Sequence, residues 1–92
     1  QRLGLAAMLH RNFDEAAQYL QQAHTADPDH HGVTKALAYS YVWLGEYDKA
    51  APLLASIPEA RTELGIYVWW WQAQGYPELS ERAHAIYQRL AP

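Results

Sequence analysis

The sequence has no cysteine. Neither a disulfide framework nor a cysteine-ligated zinc site can hold the fold, so its stability must come from packing. A cysteine-free chain fits a reducing compartment, and a cytoplasmic location is the expectation. Long apolar runs are also missing: no uncharged stretch approaches the roughly 18 residues of a membrane span. The opening QRLGLAAMLHR places an arginine in the first turn, unlike a secretory signal, so no membrane association is expected. A basic excess is absent, with seven Lys and Arg against ten Asp and Glu and a net charge of −3, which argues against a general nucleic-acid binder. The glycines are isolated at 4, 32, 45, 65 and 75, which leaves no phosphate-cradling loop and no expectation of a cofactor. Ser40 lies inside a helical pattern, Ser56 near a helix end and Ser80 on the last helix, so none occupies a strand-to-helix nucleophile turn. The carboxylates are dispersed over helix starts and surfaces. The chain is therefore expected not to be an enzyme.

What is present is apolar and aromatic. Half of the 92 residues are hydrophobic, with four Trp and seven Tyr. Each buried ring removes roughly 150–250 Å² from water, enough here for a continuous core in one small domain. The stretch Lys35 to Ile57, KALAYSYVWLGEYDKAAPLLASI, reads as two short amphipathic helices joined at Gly45. Its neighbours are degraded copies. Phe13-Asp14-Glu15-Ala16 and Tyr47-Asp48-Lys49-Ala50 share an aromatic-acid-x-Ala pattern 47 − 13 = 34 residues apart. Leu3-Gly4 pairs with Leu37-Ala38, Leu20 with Leu54 and Ala23 with Ile57 at the same offset. A third copy centres on Tyr76, 76 − 47 = 29 residues further on.

The helix signals predict six elements. Residues 1–11 carry Leu5, Met8 and Leu9 on one face. Asn12 reads as an N-cap with Glu15 as its capping-box partner, opening a helix to about Ala26 that Asp27-Pro28-Asp29 ends. His30-His31-Gly32 is a turn into Val33–Leu44, and Tyr47–Ile57 follows with Pro52 bending it. Glu59–Gln74 is apolar nearly all round, as a helix sandwiched between neighbours should be. Pro77–Leu90 closes the chain, with Glu78, Glu81, Arg82, His84, Gln88 and Arg89 left for water. The abrupt start and the first residue, Gln1, read as a piece of a longer chain.

A 34-residue helix-turn-helix period with these residues resembles the tetratricopeptide repeat (TPR) family. The middle copy carries the resemblance through Leu37, Ala38, Tyr41, Gly45, Tyr47, Ala50, Leu54 and Ile57. The first copy follows through Leu3, Gly4, Phe13, Ala16, Ala23 and Pro28, but Arg11 replaces the turn glycine and Ala7 the usual tyrosine. The third follows through Gly75, Tyr76 and Leu79, with a helix-one register ambiguous by one residue. The resemblance implies an all-α, alpha-alpha superhelix of six helices in three antiparallel pairs, with repeats at about 1–30, 31–58 and 59–92. It also implies a non-catalytic protein–protein interaction module whose first helices line a concave groove.

Projecting those first helices gives a candidate peptide-binding face of Arg2, Leu5, Leu9, Lys35, Tyr39, Val42 and Trp43, with Arg61 at its edge and Trp69 or Trp71 reaching it. Successive helical residues point about 100° apart, so Trp69, Trp70 and Trp71 cannot all share one core face. The floor suits a peptide or helix with apolar anchors, its few cations suiting an acidic group. The carboxylate clamp of the family's chaperone-binding members is not expected, because Gln1, Leu5 and Ala36 stand where it wants polar or basic groups. Two other readings compete with a scaffold: a regulatory or substrate-presenting arm of a larger enzyme, and self-association through exposed end helices at Leu3 and Ala6. His24, Asp27, Asp29, His30 and His31 crowd one connection in no established zinc spacing; they read as a polar turn, and no metal is expected.

Overall fold

A computed structural model describes the backbone of residues 2–90 and the side chains of residues 11–90. Five helices occur among the described residues: α1 (Arg2–Ala26), α2 (His31–Leu44), α3 (Tyr47–Leu54), α4 (Ala60–Gln74) and α5 (Pro77–Arg89). They occupy a slab 38 × 31 × 19 Å. A thickness of 19 Å is two helix diameters, so the fold is a two-layer helical stack.

The count of five corrects the expected six. Residues 2–11 and 12–26 form one continuous helix of 25 residues. The cause is Arg11. In the later copies Gly45 and Gly75 end their helices at φ 79° and 88°, in the left-handed region, where a side chain costs about 1–2 kcal/mol. Both termini close with the same two bonds: Gly45 N donates to Val42 O and Glu46 N to Tyr41 O, and Gly75 N donates to Gln72 O and Tyr76 N to Trp71 O. Arg11 does not favour that conformation, so the helix runs on. Glu15, expected as the capping partner of Asn12, instead pairs with Arg11 at 3.7 Å across the expected break.

Other boundaries shift by about a turn. α2 begins at His31 because His30 caps it, Nδ1 accepting from Val33 N at 3.2 Å. α3 stops at Leu54, short of Ile57. Ser56 Oγ donates to Leu53 O at 2.8 Å, and Pro58 disfavours a helical Ile57. Pro52 is accommodated inside α3, with its ring exposed.

The core is Leu37, Ala38, Val42, Ala50, Leu54, Ile57, Ala60, Leu64, Ala83 and Ile86, all enclosed. Ala38, Ala50, Ala60 and Ala83 are small enough to let helix axes close together. At Gly65 an added Cβ would lie 3.1 Å from the Tyr87 ring, so α4 and α5 touch there. Ser80 fastens the same pair, its Oγ donating to Val68 O at 2.7 Å. Arg82, expected in water, is half-buried: its guanidinium lies against Gly45 and donates to Trp43 O at the C-terminus of α2. A cation is favoured there by the negative end of the helix dipole.

Candidate functional site

α2 and α4 run parallel as neighbours. Lys35 near the start of α2 meets Glu59 and Glu63 at the start of α4, and Trp43 near its end meets Tyr67 and Trp71. Aromatic rings fill the gap between repeats. Trp43 stands 5.2 Å from Tyr67, 5.3 Å from Trp71, 6.2 Å from Tyr39 and 6.4 Å from Phe13, ring centre to ring centre. Most contacts are edge-on or tilted, the arrangements ring quadrupoles favour. Trp71 Nε1 is buried in this cluster without a hydrogen-bond acceptor.

Along α4 the residues divide by face. Ala60, Leu64 and Trp71 point into the core. Arg61 and Gly65 meet Tyr87 of α5, the Arg61 guanidinium 4.5 Å from the ring centre. Glu59, Glu63 and Tyr67 meet α2. Ile66 and Trp69 remain uncovered, at 62% and 77% exposure, and Trp70 beside them is half-exposed, edge-on to Trp71 at 4.7 Å. Beside this stripe a cleft of about 500 Å³ opens between α2 and α4, lined by Lys35, Ala36, Tyr39, Glu63, Ile66 and Tyr67.

The cleft's mouth carries a polar network. Lys35 Nζ lies 2.8 Å from Glu63 Oε1 and 3.3 Å from Glu59 Oε2. His31 Nε2 is 2.6 Å from Glu59 Oε2, and Tyr39 Oη donates to Glu63 Oε1 at 2.7 Å. The His31 contact, with help from Lys35, holds Glu59 down at about 2. Lys35 and then Tyr39 hold Glu63 below its usual range. Lys35 is pushed up chiefly by Glu63. Burial, reinforced by Glu63, pushes the Tyr39 hydroxyl up. All four groups thus keep their neutral-pH charge states firmly.

The structure brings together only part of the expected face. The side chains of Arg2, Leu5 and Leu9 lie outside the described residues. Lys35 and Tyr39 line the cleft, although Tyr39 is itself buried. Val42, Trp43 and Trp71, placed on the groove by helical projection, are all core residues. They are covered because the helices surrounding them close over a stripe that the projection left open. Arg61 is turned to α5 instead of the groove edge. Trp69 is the exposed member of the tryptophan triplet. Glu59, Glu63, Ile66 and Tyr67 were not expected on the face, and Trp70 was not preferred to Trp69 or Trp71, although their spacing of i, i+4, i+7, i+8 and i+11 marks one helical stripe. The histidines of the α1–α2 connection have structural partners: His24 with Thr34, His30 at the cap and His31 with Glu59. Among the described residues no group of three His, Asp or Glu is placed to hold a metal. No described helix is long and apolar enough to cross a membrane.

The repeated glycine stop, the alanine-spaced core and the parallel stacking of α2 and α4 are joined by one comparison: the sequence profile of the tetratricopeptide repeat matches residues 7–69, more than half of the chain. The chain belongs to the tetratricopeptide repeat family. Repeats of this family generally mediate protein–protein interaction and are typically non-catalytic. No curated protein and no solved structure matches the chain as a relative.

Proposed function

We propose that this TPR chain is a protein-binding module that takes a peptide or helix of a partner protein on the concave face formed by α2 and α4. The observation that carries this reading is the uncovered apolar stripe of Ile66, Trp69 and Trp70 beside the cleft over Tyr39 and Tyr67. Large aromatic side chains left in water next to a preformed concavity are the usual anchors of an interface. Ile66 and Trp69 are mostly exposed, so truncating them removes little of the core.

The test is partner capture by wild-type protein and by Ile66→Ser/Trp69→Ala, with the bound proteins identified by mass spectrometry. Specific capture should be lost in the double variant at unchanged helicity. Capture retained in full by that variant would sink the reading. The same exposed stripe favours self-association as a second reading, and a concentration-dependent dimer that the double variant abolishes would select it.

A further inference from the structure

The concave stripe is polarised along α4. Its start carries two carboxylates one turn apart, Glu59 and Glu63; about two turns on it carries Ile66, Tyr67, Trp69 and Trp70. The centres of the two groups are separated by about seven residues, or about 10 Å along the helix axis. Lys35 is the cation that faces the carboxylates from α2, and it is already shared between them. Glu59 is also held by His31 Nε2 at 2.6 Å; with that imidazole neutral, two carboxylates against one ammonium leave a net negative charge beside the cleft, where both acids remain about one-third exposed.

The other described cations are engaged elsewhere. Arg11 pairs with Glu15, Arg61 lies on Tyr87, Arg82 on the end of α2, Lys49 beside Glu46, and Arg89 beside Asp48. An acidic ligand, the kind the sequence suggested, would meet two ionised carboxylates, and Lys35 would have to leave both to receive it. A basic ligand meets the opposite situation. Its charge completes the neutralisation of Glu59 and Glu63.

Resting on the concave face being the binding face, we infer that its occupant is a basic peptide segment, with a Lys or Arg against Glu59 and Glu63 and an apolar side chain about 10 Å away against Ile66, Tyr67 and Trp69. That separation sets the ligand's spacing. In an extended peptide it is about three residues, and in a helical one about seven, or two turns.

The experiment uses three fluorescein-labelled synthetic peptides on a glycine–serine background, each with a leucine three positions after a variable residue repeated twice. The variable residue is arginine, glutamine or glutamate. Binding to the whole chain is read by anisotropy at low and high salt. The arginine peptide should bind at least about tenfold more tightly than the glutamate peptide, and raising the salt should narrow the gap. Glu59→Gln should weaken the arginine peptide severalfold and leave the glutamine peptide unchanged. Because the peptide series runs on the unaltered protein, the comparison does not depend on a variant that folds. Equal binding of all three peptides, abolished by Trp69→Ala, overturns the basic preference and leaves the groove standing. Tightest binding of the glutamate peptide does the same. No binding by any peptide overturns the basic-segment assignment. A dimer in sedimentation that Trp69→Ala dissolves gives the face to a second copy and overturns it as well.

Discussion

Trp43 and Trp69 are the same residue type in successive repeats with opposite consequences. Trp43 touches four rings and is nearly enclosed, so Trp43→Ala should cost about 3–5 kcal/mol. A small domain holds only about 5–15 kcal/mol in total, so urea denaturation should show a protein near or past its threshold. Trp69→Ala removes a ring that is mostly in water, and its urea midpoint should stay within about 0.5 kcal/mol of wild type. Loss of binding therefore diagnoses the groove at Trp69 and merely unfolding at Trp43. Arg82→Met keeps the aliphatic stem and removes the donor to Trp43 O; it should cost about 1.5–3 kcal/mol by thermal or urea melt. Single residues also set what could be read in advance. Lys35 was legible as an outward residue of α2, and it lines the cleft. Its partners Glu59 and Glu63 come from another repeat, 24 and 28 residues away, and no local pattern announces a cross-repeat pair. The triplet Trp69-Trp70-Trp71 was legible as unable to share a face, but which ring goes inward depends on where α2 and α5 dock.

At the scale of elements, glycine decides where one helix becomes two. Gly45 and Gly75 were readable as stops, and both take the left-handed conformation. Arg11 was equally visible as a departure from the pattern, yet a break was still expected at Asn12. A capping residue can begin a helix only where the preceding one has ended, and nothing between Gly4 and Pro28 ends it. Gly45→Ala should accordingly destabilise the chain by about 1–2 kcal/mol in urea. Gly75→Ala should do likewise, whereas Gly32→Ala, whose φ is not left-handed, should fall well short of that cost. The end of α3 was missed because Ser56 turns its hydroxyl to Leu53 O, a choice the apolar period does not encode.

For the molecule as a whole, the concave network sets the response to pH. The Glu59 and Glu63 carboxyls ionise below their ordinary value of 4.5 in the folded chain. Their contribution is present above that value and is lost as pH falls towards about 2, where Glu59 protonates. The Tyr39 hydroxyl and Lys35 ammonium are shifted upwards from ordinary values of 10.0 and 10.5, so their contributions are present below those values and are lost as pH rises beyond them. Melting temperature followed by circular dichroism should be flat between these limits, fall on the acid side below about pH 4.5, and fall less steeply there in Glu59→Gln. Tyrosinate absorbance should show Tyr39 ionising only as the alkaline chain unfolds. The fold class was legible from the repeat period because stacking of like units imposes it, whereas the location of the exposed apolar stripe depends on how those units close over one another.

The contact of Arg82 with the end of α2 has a consequence for how the stack comes apart. Repeat arrays can fray from their ends one unit at a time when neighbours are weakly coupled. Here the terminal pair supplies the guanidinium that satisfies its neighbour's last helical turn. Peeling α5 away would uncap α2 and bare Trp43 O in the same event, so the cost of losing the last repeat falls on the middle one too. Coupling of this kind should make the described repeats melt as one cooperative unit, with tryptophan fluorescence and helicity lost together.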